Sequence, residues 1–329
     1  MRKTRAILCS IILSAVFSGA LLYSTLELPV LLNGLMMEFT PHYGAGELEE
    51  AEKFVDMVRP LGYACLGATL LMIILGFILG KHKLSLLGSA SLLLPTFSYY
   101  ASVMFFLAGI GFLRILWLPF IELSPGSSIY EKISAASSIL ELGDIAYLPY
   151  DALRLVLSPA DGRSLDETLF RAIVVAASIL FFTGCATWFY TRLQGKGFAD
   201  TLAYKYSRHP QYLSFLVWSY GLLVYDKYVF TPPRGGYFAP PPLLWVTAAL
   251  VLVGIALREE EDMIRKHGAE YFEYRSRTPF MIPLTKPVGR MLRTPVKLFF
   301  KKDYPEKAWE VAVVLAAYGL ILLALSTLY

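Results

Sequence analysis

The sequence predicts an all-α, polytopic helical membrane protein with about seven transmembrane helices and a cytoplasmic N-terminus. Three observations carry this. The 329 residues are 56% hydrophobic and 17% charged, with a mean hydropathy of +0.53; soluble domains are about 45–50% apolar and about a quarter charged. Apolar runs close to the roughly 20 residues that a helix needs to cross a bilayer recur along the chain. Lys and Arg are concentrated in alternate connections between those runs. The 21 Phe, 21 Tyr and 5 Trp exclude a disordered chain. Cys9, Cys65 and Cys185 all lie inside apolar runs, which excludes a disulfide scaffold, and no Cys/His spacing fits a structural zinc site. The net charge of +4 is too small to point to nucleic acid as a partner.

In chain order, the expected spans are Ala6–Leu26, Leu61–Gly80, Leu84–Phe112, Ala172–Tyr190, Tyr212–Phe230, Leu243–Leu257 and Trp309–Leu328. The first has the Arg2, Lys3 and Arg5 flank of a signal peptide, and Ser18-Gly19-Ala20 resembles a cleavage site. The apolar run continues past that point, which favours a retained helix. The third stays apolar to Phe120 and either tilts or breaks at Pro119. The sixth is short, and Pro240, Pro241 and Pro242 can begin it but not extend it from inside.

Orientation follows from the connections. The loop Glu38–Pro60 is acidic, with Glu47, Glu49, Glu50 and Glu52, whereas Lys81 and Lys83 flank the next turn. Arg192, Lys196, Lys205 and Arg208 follow the fourth span, and twelve Lys and Arg occupy Arg258–Lys307. A cytoplasmic N-terminus puts every basic connection on the cytoplasmic side. No 20–50-residue repeat is visible. Three regions are expected: residues 1–165 with three spans and turn chemistry such as Ser124-Pro125-Gly126, a core over 166–285, and 286–329 with a basic juxtamembrane segment and the last span.

Two polar stretches at cytoplasmic membrane ends stand out. One is Tyr204-Lys205-Tyr206-Ser207-Arg208-His209-Pro210-Gln211-Tyr212; the other runs from Arg258-Glu259-Glu260-Glu261-Asp262 through Lys266-His267-Gly268 to Tyr271, Tyr274 and Pro283. Each has a plain reading. Arg208-His209-Pro210 is a positive flank with a helix-starting proline, and the acidic run suits a helix first turn. Gly268 reads as a helix C-cap. Tyr271 and Tyr274 share a helix face as interfacial aromatics. The basic and apolar alternation from Lys286 to Lys302 fits a segment lying on an anionic leaflet.

Taken together, the two stretches resemble the isoprenylcysteine carboxyl methyltransferase and phospholipid methyltransferase family of integral-membrane enzymes. Arg208, His209, Pro210 and Tyr212 match its Arg-His-Pro-x-Tyr stretch, with Tyr204 and Tyr206 ahead of them. Glu259 and Glu260 match its Glu-Glu pair, and Gly268, Tyr271, Tyr274 and Pro283 match the remainder. The resemblance covers roughly Ala172–Leu284. The chain departs from the pattern at Leu202 and Ala203, where the family has glycine and proline, and at Ser214, where it has glycine. It departs again at His267, usually an aromatic, and at Phe280, usually basic.

The resemblance implies S-adenosyl-L-methionine as methyl donor; a glycine-rich dinucleotide fingerprint opening a helix is absent from the sequence. Arg208 or His209 suits the donor's carboxylate, and Glu259 and Glu260 suit its amine and ribose hydroxyls. Tyr206, Tyr212 or Tyr271 suits adenine or the sulfonium. Tyr204 and Pro210 belong to the same expected binding set, and Glu260, His209 and Arg208 are the expected catalytic residues. The expected acceptor is lipid-like and embedded in the membrane: a prenylcysteine carboxylate needing no base, or a lipid amine or thiol needing one, with Glu260 or His209 the candidates. Two rivals remain. Membrane sterol reductases, which use NADPH, resemble the chain near Lys266, against which the Glu-Glu pair argues. A non-catalytic transporter or scaffold would build on Asp226 inside the fifth span, yet paired broken helices are not evident.

Overall fold

A computed structural model describes residues 3–23, 48–81, 122–157, 162–229, 242–282 and 292–328, with isolated positions at 84, 87, 284 and 289–290. No strand occurs among the described residues. The helices are α1 (Lys3–Leu22), α2 (Leu48–Ile78), α3 (Ile129–Leu140), α4 (Leu148–Leu157), α5 (Gly162–Leu193), α6 (Pro210–Val224), α7 (Pro242–His267), α8 (Ala269–Arg277), α9 (Thr294–Phe300) and α10 (Ala308–Ser326). Of these, α1, α5, α7 and α10 are long and apolar enough to cross a membrane.

Those four helices coincide with the first, fourth, sixth and seventh expected spans. All but the last two residues of the second expected span lie within α2, whose helix begins well before Leu61 and carries Pro60 inside it. The helix-forming run Leu48-Glu49-Glu50-Ala51-Glu52-Lys53 accounts for the early start. Nearly all of the third expected span, and its apolar continuation through Pro119 to Phe120, lie outside the described residues. The fifth corresponds to α6, 15 residues long, continued by a π-helical turn over Tyr225–Val229. Pro242 opens α7, as a proline at a helix start does. That helix does not stop at Leu257 but runs on to His267. The extension Arg258–His267 has no glycine or proline and is stitched by Arg258–Glu261 and Asp262–Arg265 ion pairs, each three residues apart. The acidic run therefore lies within a continuous helix rather than opening a new one.

The chain divides into two compact units. The first comprises Met1–Leu22, Thr168–Gly221 and Leu252–Tyr318. Within it, α1 buries Ala6, Ser10 and Ser14, a stripe of small residues at spacing four that lets backbones approach closely. Ser14 Oγ donates to the Phe182 carbonyl of α5 at 2.5 Å, and Phe17 meets Phe189 edge to face at 5.1 Å. α6 also packs closely on α5: a Cβ at Gly221 would lie 3.0 Å from the Ile173 side chain.

The second unit comprises Tyr23–Glu167, Leu222–Val251 and Gly319–Tyr329. The start of α3 carries a reciprocal capping box: Ser128 N donates to the Glu131 carboxylate while Glu131 N donates to Ser128 Oγ, each at 3.3 Å. The Ser127 hydroxyl and N–H, with the Ser128 N–H, hold the Glu131 carboxyl below its ordinary range. Gly143 takes a left-handed φ of 96° and its N–H donates to Ser326 Oγ at 2.8 Å, fixing the entry to a short 3-10 turn over Asp144–Tyr147.

Candidate functional site

The first polar stretch is a turn followed by a helix start. Leu202–Lys205 forms a 3-10 turn, the chain extends through Ser207, Arg208 and His209, and Pro210 opens α6. Ser207 Oγ accepts from the His209 N–H at 3.2 Å. Leu202 stands at φ 49°, the left-handed region where a β-carbon costs roughly 1–2 kcal/mol, and its side chain is 68% exposed. This is the position at which the resembled family carries glycine. Replacing Leu202 with glycine is therefore expected to raise stability by about 1 kcal/mol, after the extra chain entropy of glycine is subtracted. Thermal unfolding of the detergent-solubilised variant checks this.

The second stretch meets the first at Glu260, which is 1% exposed on α7. Its Oε1 lies 2.5 Å from Arg208 Nε and 3.2 Å from His209 Nε2, and its Oε2 lies 3.1 Å from Arg275 Nε. Neither arginine Nε makes a well-directed hydrogen bond to it, so these are ion pairs held by proximity. Arg208 also donates from Nη1 to the carbonyls of Arg275, at 2.5 Å, and Thr278, at 3.0 Å, and its backbone N–H donates to Pro279 O at 3.0 Å. Tyr274 donates to the Tyr204 carbonyl at 2.7 Å. The turn before α6 and the end of α8 are thus tied by four hydrogen bonds and a shared carboxylate.

Glu259, one residue earlier, is partly exposed and has a different partner: Tyr212 donates to its Oε1 at 2.6 Å. The His209 ring stacks on Tyr212 with centroids 5.7 Å apart. Tyr204 is buried and its hydroxyl reaches Gln211 Oε1 at 3.3 Å, while Gln211 Nε2 contacts Cys185 Sγ at 3.4 Å. Tyr271 and Tyr274 are buried and pack with Phe198, centroids 5.3 and 5.4 Å away. Burial pushes the Tyr204, Tyr271 and Tyr274 phenols upward, so they act as neutral hydroxyls.

Of the expected site residues, Arg208, His209 and Glu260 come together directly, Tyr212 and Glu259 pair beside them, and Pro210, Tyr204 and Tyr271 are placed by the same scaffold. Tyr206 is not brought in; it is 70% exposed. Pro283 lies outside the described residues. Arg275 is the residue that the sequence reading passed over. It lies one turn after Tyr271 on α8, a spacing that puts the two on one face. Its guanidinium also sits 3.8 Å over the Tyr304 ring.

Three departures from the family pattern have local explanations. Phe280 packs against His209 at 5.1 Å with the Arg208 guanidinium 5.6 Å from its ring. Ser214 is fully buried and donates to the Gln211 carbonyl at 2.7 Å. His267 packs on Phe198 at 5.3 Å, and its ring would lie 2.4 Å from a Cβ at Gly197, so glycine is what admits it.

The cluster's charge suits S-adenosyl-L-methionine. Two guanidiniums, the buried Arg208 and the half-buried Arg275, face one carboxylate, Glu260, leaving a local positive excess. Arg208 Nη2 is buried with no hydrogen-bond partner among the described residues, a donor available to a carboxylate. The partly exposed Glu259 carboxylate suits an ammonium or a ribose hydroxyl. No metal-binding group of three or more His, Cys, Asp or Glu occurs among the described residues.

Over 93 residues the chain is 34% identical to methanethiol S-methyltransferase 1 of Bradyrhizobium diazoefficiens, a match covering 28% of each protein. Methanethiol S-methyltransferase 2 of the same organism is 31% identical over 99 residues, 28% of this chain and 31% of the relative. The chain spans less than a third of the length of the curated relatives it matches. No protein-family model matches the chain, and no solved structure does.

Proposed function

We propose that this protein is an integral-membrane, S-adenosyl-L-methionine-dependent methyltransferase. It acts at the cytoplasmic face on a membrane-embedded, lipid-like acceptor. The observation that carries this reading is the Arg208–Glu260–Arg275–His209 cluster, buried but for Arg275, with its positive excess and an Arg208 Nη2 that has no partner among the described residues. The partial likeness to two methanethiol S-methyltransferases supports the reaction class and favours a thiol among the possible acceptors. The proposed topology has about seven spans and a cytoplasmic N-terminus. Residues 166–285 form the catalytic core, 1–165 contribute an N-terminal membrane region, and 286–329 add the basic segment and last helix.

When bound, S-adenosyl-L-methionine supplies an electrophilic methyl group on a sulfonium. Arg208, whose guanidinium Glu260 and the Arg275 and Thr278 carbonyls keep in one orientation, would hold the carboxylate of the donor. Glu259, oriented by Tyr212, binds the ammonium or ribose. Glu260 is a positioning residue here, because Arg208, His209 and Arg275 already surround it. His209, set between Glu260, Tyr212 and Phe280, accepts the proton of a thiol or amine acceptor. The contribution of these residues would be chiefly to position donor and acceptor and to exclude water.

The test is transfer of label. Membranes containing the protein are incubated with methyl-labelled donor, and label is counted in the organic phase and in volatile sulfide after a thiol is supplied. Label above that of Arg208→Ala membranes is expected in at least one of the two. Equal counts in both overturn the reading.

A further inference from the structure

α4 is amphipathic in the reverse of the usual sense. In a soluble protein the apolar stripe of a surface helix turns inward and the charges turn to water. In α4 the residues on the protein side are Tyr150, which is buried, and Asp151 and Arg154, which are half-buried. Tyr150, 2% exposed, donates to Asp166 Oδ1 at 2.8 Å, and Arg154 Nε lies 2.9 Å from the same carboxylate oxygen. Tyr228 donates to Asp151 Oδ1 at 2.5 Å, and the Arg154 guanidinium lies 5.0 Å from the Tyr228 ring. The opposite arc presents Leu148, Leu153, Leu155, Val156 and Leu157 outward, Leu155 and Val156 each 80% exposed. At 100° per residue these positions fill the arc left by Tyr150, Asp151 and Arg154.

Ten residues of helix span about 15 Å, half of a bilayer core of about 30 Å, so α4 does not cross a membrane. It is tied through Asp166 to the first turns of α5, a helix long and apolar enough to do so. The anchoring group also has the composition of a headgroup region. Tyr147, Tyr150 and Tyr228 form an aromatic cluster with centroids 4.9–5.8 Å apart, and the exposed Lys227 ammonium sits 4.0 Å over Tyr147.

We propose that α4 is an interfacial helix whose Leu148–Leu157 apolar face is covered by phospholipid acyl chains at the membrane end of α5, with the Asp151–Arg154–Asp166–Tyr228 group as its protein-side anchor. Phospholipid is the occupant because Asp166 ties α4 to the first turns of a helix long and apolar enough to cross a membrane, and because the outward residues of α4 are aliphatic throughout. The assignment is independent of the methyl-transfer reading.

The test uses the full chain in phospholipid nanodiscs, with the photoreactive p-benzoylphenylalanine placed singly at Leu155, at Val156 and, as a control, at the exposed polar Ser127. Both 80%-exposed positions accept the larger side chain without disturbing packing, and gel filtration confirms the folded state. Intact-mass spectra after irradiation should show phospholipid adducts at Leu155 and Val156, at least tenfold above Ser127. Crosslinks between two copies of the chain, crosslinks to another protein, or lipid adducts no more abundant than at Ser127 would each overturn the proposal. A second measurement guards against an unreactive probe geometry. Leu155→Lys with Val156→Lys should lower thermal stability in nanodiscs; an unchanged midpoint would contradict acyl-chain contact.

Discussion

Replacing Glu260 with glutamine is expected to destabilise the protein by about 3–5 kcal/mol, because the buried Arg208 guanidinium and the half-buried Arg275 guanidinium then lack their shared counter-charge. Glutamine keeps the shape of the side chain, so the loss reports charge rather than packing. The partners sharpen the expectation. Arg208 is 4% exposed and is held by carbonyls on one side, leaving no route to water when Glu260 is neutralised. Arg275, nearer the surface and resting on Tyr304, has more freedom to relax. A second substitution, Arg275→Gln in the Glu260→Gln background, is therefore expected to restore about 1–2 kcal/mol, since it removes one of the uncompensated charges. Thermal unfolding in detergent of the two singles and the double completes the cycle. Strict additivity of the two losses would contradict a shared carboxylate.

Glu259→Gln is expected to separate binding from stability in the opposite way. Glu259 is partly exposed, and glutamine retains an oxygen that Tyr212 can donate to. Its stability cost should stay below about 1 kcal/mol, as for surface substitutions. If the carboxylate holds the donor's ammonium or ribose, losing its charge removes about 1.5–3 kcal/mol of a charge-assisted hydrogen bond. That corresponds to about 10- to 100-fold weaker donor binding. A variant with wild-type affinity would remove Glu259 from the donor site.

The contrast between these adjacent glutamates marks where sequence reading reaches its limit. That Glu259 and Glu260 belong with the Arg208–Tyr212 stretch was legible from their pairing near a membrane end and from the resemblance. That one is a buried counter-ion and the other a partly exposed acceptor follows from the rotation of about 100° between consecutive residues of α7, and so from the helix continuing past Leu257. The sequence reading ended the span at Leu257 because the charges begin there. Side-chain pairing along Arg258–Arg265 is what carries the helix onward.

Arg275 was overlooked for a related reason. In sequence it is one basic residue among twelve in Arg258–Lys307, and only the fold of α8 against the turn before α6 turns it toward Glu260. Tyr206 differs in the reverse direction, since the structure leaves it outside the cluster. It belongs to the motif by position, but the 3-10 turn over Leu202–Lys205 buries Tyr204 and leaves Tyr206 exposed. The apolar runs of α1, α5, α7 and α10 were legible because length and hydropathy suffice for them. The outward-facing apolar arc of α4 was not, because its meaning depends on which side the anchor residues face.

The most direct test of the central claim is calorimetric titration of the full-length, detergent-purified protein with S-adenosyl-L-methionine and, separately, with NADPH. Saturable, micromolar binding of S-adenosyl-L-methionine without binding of NADPH is the predicted result, with the affinity reduced in Glu259→Gln. Binding of NADPH alone would place the chain with reductase chemistry. Binding of neither would contradict the account and leave the Arg208–Glu260–Arg275 cluster as a structural tie between two helix ends.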